Sequence, residues 1–406
     1  MKVQHIFFLI TILSSQFAFS QTDSTISPVD SIQGEYNFDA YYDISSNSIT
    51  SGFFKKLYKG EHITYNDKVE SSLKLGEANR FGAEISSNFT WTAPFTLFQD
   101  WHPTIGFGYR QIASFGFTND FYDLLFYGNS RFKGKTADIS NSHINYLHYQ
   151  SIQFGLRKQI GNTDFQFNLG LVKGSQGLQT TISNGQLYTA ENGEYLDLDL
   201  NAQLAMSDSN NTSFQNWSGT GFVANVAFSY ELSNNSSVNF SLNNIGHIAW
   251  NTNNAAYQID SSFHWEGVTV DNVFNLTDSV FQIETNSDSL INEYETISNF
   301  TSLIPARIFV SYQHSYKNVG LSLSVDHMLN TSYIPHAQAR TTINLHDKFG
   351  VMINLGYGGF TDFHYGSGFL FNFDHIKVNL LFNALNGLIS NSGRTQTATF
   401  NLRYTL

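Results

Sequence analysis

TGFVANVAFSYELSNNSSVNFSLNNIGHIAW, residues Thr220 to Trp250, is the stretch on which the reading turns. In its first arm Phe222, Ala224, Val226, Phe228, Tyr230 and Leu232 share one face of an extended strand, and Gly221, Asn225, Ala227, Ser229 and Glu231 share the other. A strand's side-chain period of two separates them in this way. After the turn Ser233-Asn234-Asn235-Ser236-Ser237, Val238, Phe240 and Leu242 alternate with Asn239, Ser241 and Asn243. An aromatic face backed by a face of Asn, Ser and Gly fits a strand with lipid on one side and water on the other.

Composition points the same way. The 406 residues include no cysteine, so disulfides, thiolate metal sites and Cys nucleophiles are excluded. Charged residues make up 13%, well under the quarter or so usual for soluble domains, while aromatics reach 16%. Beyond the first twenty residues no apolar run of about 18 residues occurs, which excludes a helical membrane protein. Lys2, the apolar Ile6 to Leu13 and the small-x-small Ala18-Phe19-Ser20 read as an export signal over residues 1–20, with 21–406 as one barrel domain. Removing the signal leaves 20 Lys and Arg against 33 Asp and Glu, about −13, which argues against a nucleic-acid partner.

Outward from the hairpin, strands are expected at 36–44, 80–92, 104–117, 144–160 and 164–173. A run of six follows near 305–316, 318–329, 334–346, 349–360, 364–373 and 376–386, and a last strand covers 396–406. Between Ser46 and Gly76 the apolar residues Ile49, Phe53, Phe54 and Leu57 fall near helical spacing, so 46–78 reads as a helical excursion at the mouth or in the lumen. Phe121 to Tyr127 reads as a short helix or plug, and 131–142 as irregular polar chain. The 251–302 stretch is expected to be a long, irregular, acidic extracellular segment; it has no Lys or Arg. Short connections such as Asn234-Asn235, Lys317-Asn318 and Asp374-His375 alternate with longer ones, the pattern of periplasmic turns and outer loops. The weaker hairpin 179–188 with 195–205 leaves the count open between fourteen strands and sixteen. The fold class is therefore all-β, a closed antiparallel transmembrane β-barrel in contact with membrane lipid, because hydrocarbon tolerates no unpaired sheet edge.

Catalytic and metal patterns are weak. Thirteen histidines include no H-E-x-x-H and no ligand spacing, so neither a metal nor another cofactor is expected. The best hydrolase triple, Ser324, Asp326 and His327, fails because neighbouring strand residues point to opposite faces. The candidates retained are lumen-facing charges: Arg80, Glu84, Glu231, Arg307, Asp326, Arg340 and Arg403. Trp250 and Trp265 are candidates to anchor at the membrane interface or to pin the outer segment over the pore.

Leu242 to Trp250, with Tyr257 and Phe263-His264-Trp265-Glu266-Gly267, resembles a family of Bacteroidota outer-membrane barrels. Asn79 to Glu84, Phe126 to Asn129, Gly134 to Asp138 and Leu303 to Arg307 carry the same resemblance. That family is distantly similar to FadL-like channels and to the PorP/SprF barrels of gliding and type IX secretion, and its activity is unassigned. The Asn-Pro-Ala motif of fatty-acid channels is missing here. Phe400-x-Leu402-x-Tyr404-x-Leu406 is similar to the terminal signal read by the outer-membrane assembly machinery. The resemblance implies an outer-membrane location and the barrel fold, and the chain leaves two roles open. One is a passive channel for small or hydrophobic solutes. The other is a non-enzymatic partner of a surface or secretion machinery, with Asn244, Gly246, Trp250 and Trp265 at the plug or docking surface.

Overall fold

The computed structural model describes residues 32, 34–207, 217–251, 254–266, 295–296 and 299–406. The export segment at 1–20 and much of the 251–302 stretch lie outside the described residues. In chain order the strands are Glu35–Ser46 (β1), Asn79–Thr92 (β2), His102–Phe117 (β3), Lys135–Asp138 (β4), Ser142–Ile160 (β5), Thr163–Thr189 (β6), Tyr195–Met206 (β7), Gly219–Ser233 (β8), Ser236–Trp250 (β9) and Ala255–Glu266 (β10). They continue with Glu295–Thr296 (β11), Phe300–Leu303 (β12), Arg307–Tyr316 (β13), Val319–Met328 (β14), Ile334–His346 (β15), Phe349–Gly359 (β16), Phe363–Asn372 (β17), Ile376–Ala384 (β18) and Thr395–Thr405 (β19).

Fourteen of these form a ring: β1, β2, β3, β5, β6, β8, β9 and β13 to β19 pair antiparallel in that order. Pairing of β19 with β1, from Glu35↔Thr405 to Ser45↔Thr395, closes the ring and removes both edges. The strand count settles at fourteen because the weaker hairpin never enters the ring. β6 runs for 27 residues; its first half pairs β8 from Thr163 to Gly174, and its second half pairs β7 from Leu178 to Thr189. At about 3.3 Å per residue such a strand spans roughly 90 Å, far more than a tilted crossing of a 30 Å hydrocarbon core needs.

β10 pairs β7 along its whole length, from Ala255↔Met206 to Glu266↔Tyr195, so β6, β7 and β10 build a platform beyond the ring. The expectation of irregular chain throughout 251–302 is corrected there. Tyr257, Ile259, Phe263 and Trp265 alternate with Gln258, Asp260, Ser262 and His264, a strand period that the acidity of the stretch obscures. Similarly, 131–142 is not wholly irregular, since it contains β4, paired with the upper part of β6.

Parity holds around the ring. Phe154, Leu171, Phe222, Leu323, Leu355 and Phe369 point outward and are each more than two-fifths exposed, a row suited only to lipid. No helix among the described residues is long and apolar enough to cross a membrane.

The helical excursion forms two helices, Ser51–Lys59 and Tyr65–Ser72, and a third spans Asn119–Tyr127. Each starts where a threonine side chain accepts from a backbone N–H three residues on: Thr50, Thr64 and Thr118. Gly60 ends the first helix at φ 67°, a left-handed conformation that costs glycine little. Phe53 meets Phe126 with ring centroids 4.8 Å apart, Phe54 stacks on Phe81 at 5.3 Å, and Phe121 meets Phe115 at 5.2 Å. Phe81 and Phe115 are cross-strand partners on the outward face of β2 and β3. The helices therefore sit on the outer side of the mouth. Of the two places expected for 46–78, mouth or lumen, the structure gives the mouth, and the expectation that 121–127 plugs the lumen is corrected: their apolar faces find the outward aromatic rings at the strand ends.

Asp67 completes a capping box with Thr64 and lies 2.6 Å from Lys56 Nζ. Partial desolvation pushes its carboxyl up, but hydrogen bonds from Lys56 and Thr64 outweigh this and hold it below the usual carboxylate range. A depressed folded pKa gives support that is present above the unfolded value and lost as pH falls through the folded one. Amide protection factors over 64–72, measured against the intrinsic rate at each pH, are therefore expected to fall in acid. Thr64→Ala should produce the same fraying at neutral pH, at a cost of about 0.5–2 kcal/mol.

Candidate functional site: the barrel lumen

The lumen is layered from the end that holds the chain's last residue, here called the base, to the mouth. At the base Arg157 is 2.6 Å from both Asp164 and Glu35, and Arg403 approaches Glu35 at 3.9 Å. Glu231 lies at the same end on the inward face of β8, where its backbone N–H donates to Asn162. Above this layer the inward positions carry amides and hydroxyls. Asn401 Nδ2 donates to Asp39, Asn383 Nδ2 to Thr399 Oγ1, and Arg340 Nη2 to Gln338 Oε1 at 2.8 Å. These side chains surround a cavity of about 290 Å³, whose upper wall includes Arg307, Asp326, Tyr333 and Phe360.

A buried charge network closes the cavity from above. Glu84, 1% exposed, accepts from Arg110 Nε at 2.7 Å and lies 3.4 Å from Arg307 Nη2. Arg110 also donates to the Pro305 carbonyl at 2.9 Å, and Arg307 stands 3.8 Å from Asp326. Near the mouth Arg80 reaches across the lumen to the carbonyls of Gly359 and Thr361 and to Asp362, which Arg394 also pairs at 3.0 Å. Of the seven charges singled out in the sequence, Glu84, Arg307 and Asp326 share this network, whereas Arg80 lies above it and Glu231, Arg340 and Arg403 lie below.

The remaining volume is apolar. Ile112, Leu147, Val172, Val223, Ile248, Trp250, Ile304, Met328, Tyr333 and Phe360 form one buried cluster inside the ring. An interior wholly of water and polar groups, expected from the hairpin, is therefore corrected in the upper half of the lumen. The cause lies in the opening hairpin itself. Asn244 adopts φ 62° and its N–H is taken by Asn225 Oδ1 at 2.6 Å. The resulting bulge reverses the parity of β9, so that Gly246, Ile248 and Trp250 point inward after Val238, Phe240 and Leu242 point outward.

Opposite the bulge, β9 pairs β13 up to Asn243↔Arg307 and pairs β12 from His247↔Leu303. Ile304, Pro305 and Ala306 between them are buried in the lumen. Trp250 is fully buried, stacks on Phe300 and donates from Nε1 to Ser302 Oγ at 2.9 Å. A Cβ at Gly174, Gly177 or Gly219 would stand 2.8, 2.5 or 2.8 Å from its ring, so three glycines leave the slot it occupies. Trp250 is not an interface anchor. Trp265, 40% exposed, lies on β10 of the platform, outside the ring, and stacks on Phe263.

Arg110, Arg157, His336 and His364 are lumen residues that the sequence reading passed over. The two histidines stand on β15 and β17 beside Asp326, with His336 Nδ1 donating to Asp326 Oδ1 at 2.7 Å. Inward parity alone would have found all four.

A family model described as "Family of unknown function (DUF5723)" matches residues 34–383. No curated protein matches the chain. Among solved structures, the Pseudomonas putida toluene transporter TodX is similar at 11% identity, covering 95% of this chain and 93% of that one, with a TM-score of 0.40. The Ralstonia pickettii toluene transporter TbuX is similar at 8% identity, with coverage of 92% and 90% and a TM-score of 0.43. A Pseudomonas aeruginosa FadL homologue is similar at 8%, with coverage of 93% and 91% and a TM-score of 0.39.

Proposed function

Because the chain belongs to the family of unknown function DUF5723, its role has to be read from its own lumen, and we propose that it is a passive channel of the outer membrane for small solutes, hydrophobic ones included. One observation carries this reading: a closed ring encloses a polar-walled cavity of about 290 Å³, capped by the Glu84 charge network and the apolar plug above it. Small solutes would enter the amide-lined cavity, and passage would require the Trp250 and Phe360 cluster to move aside. The interior offers binding and exclusion, with no covalent step. Arg340 stands in the cavity wall. Arg340→Ala is expected to shift the reversal potential of the reconstituted barrel toward cation preference, with the heat-modifiable band unchanged. Bilayer currents indifferent to every cavity substitution would count against a channel.

A second reading rests on the platform. β7 and β10 stand outside the ring and present the stacked Phe263 and Trp265, with Trp265 40% exposed. Such a sheet suits a non-enzymatic partner of surface, gliding or type IX secretion machinery. Deletion of 253–296, which spares Phe300 beside Trp250, separates the two readings. A lost pull-down partner with unchanged conductance favours docking, and altered conductance with no lost partner favours the channel.

A further inference from the structure

The geometry points to a divalent transition-metal site of the class that imidazole prefers, formed by His336 and His364 at the upper wall of the lumen. His336 Nδ1 faces Asp326 Oδ1 at 2.7 Å, and His364 Nδ1 faces the Asp362 carbonyl oxygen at 3.1 Å. A carboxylate and a carbonyl only accept, so both rings carry their proton on Nδ1. Each neutral ring then presents a lone pair at Nε2. Those two Nε2 atoms are 3.2 Å apart, while the ring centroids are 5.1 Å apart, so the rings converge on their Nε2 edges.

Two lone pairs held this close repel unless a proton or a metal ion lies between them. Two points 3.2 Å apart can both lie about 2.1 Å from a single ion, the usual Zn–N distance. The place for that ion is left by Gly356 on the intervening β16. A Cβ on Gly356 would stand 2.4 Å from His364 Nε2 and 2.9 Å from His336 Nε2, so the absence of a side chain there keeps open a point close to both nitrogens.

The outer partners are those that orient metal-binding histidines. Asp326 is itself held by Tyr333 Oη at 2.8 Å and faces Arg307 at 3.8 Å. Asp362 is held by Arg80 at 2.9 Å and by Arg394 at 3.0 Å. The rings are thus fixed before any ion arrives. Among the described residues no three His, Asp, Glu or Cys converge, so water or a lumen solute would supply the remaining positions from the cavity that both histidines line. This site does not depend on the channel reading.

The test uses the full chain without a histidine tag, extracted in detergent and stripped with chelator. Zn²⁺ titrated by calorimetry is expected to bind one per chain. His336→Gln, His364→Gln and Gly356→Ala should each remove that binding, and Asp326→Asn should weaken it about 10- to 100-fold. Heat-modifiable mobility reports whether each variant has folded. Cu²⁺ bound to the unsubstituted chain supplies a readout that needs no variant, because its electron spin resonance should show coupling to two imidazole nitrogens. Zn²⁺ binding equal in wild type and in the folded double-Gln variant would overturn the site, as would a copper spectrum without that coupling; the pair would then be bridged by a proton alone.

Discussion

Trp250→Ala is expected to destabilise the barrel by about 3–5 kcal/mol and to increase its conductance. The indole is fully buried against Ile248 and Phe300, its N–H is satisfied by Ser302, and Gly174, Gly177 and Gly219 are shaped around it. Truncation removes the largest fully buried side chain and strands the Ser302 hydroxyl, also fully buried. The neighbours are strands of a closed ring, which cannot collapse inward to refill the space, so the loss should stand at the upper end of the range for such deletions. Urea unfolding in detergent gives the stability, and bilayer recordings give the conductance. Gly177→Val tests the same slot from β6 by overpacking it, and should cost about 1–3 kcal/mol or more. A Trp250→Ala barrel with wild-type stability and wild-type current would refute the plug.

Glu84→Ala is expected to cost about 3–5 kcal/mol, because it leaves the buried Arg110 and the half-buried Arg307 without their shared carboxylate. Arg110 and Arg307 converge on Glu84 from β3 and β13, on different sides of the ring, so this carboxylate ties distant strands together. Breaking one member of a buried pair costs more than the pair contributes, since the charge left behind remains desolvated. The double variant Glu84→Leu with Arg110→Met should therefore recover part of the loss, and a double variant less stable than Glu84→Ala would contradict this account. Arg403→Ala, at the base and 3.9 Å from its carboxylate partner, is expected to cost under about 1 kcal/mol.

Much of the scaffold is legible along the chain. Val319 to Val325, Val351 to Tyr357 and Phe222 to Leu232 alternate so regularly that strand, inward face and neighbour follow from period and turn length. The inward positions of Arg307 and Asp326 follow from the same parity. β10 was hidden because its partner β7 lies about sixty residues earlier, and its residues read as acidic loop until paired. The first helix was legible from the spacing of Ile49, Phe53, Phe54 and Leu57, but which side of the mouth the helices cover depends on Phe81 and Phe115, whose rings face away from the lumen.

The opening hairpin shows where that legibility stops. By itself the sequence determined a closed fourteen- or sixteen-stranded ring with an aromatic exterior, because a strand's period is local and lipid admits no open edge. Only the tertiary structure decided the contents of that ring. The left-handed Asn244 reverses the strand's facing, so Trp250 enters the lumen, and no periodicity reports a single residue's φ. Likewise Glu84 meets Arg307, and His336 meets His364, across strands whose separation in the chain carries no signal of contact. Residues facing one another inside a closed ring are brought together by its circumference, which exists only after β19 has paired with β1.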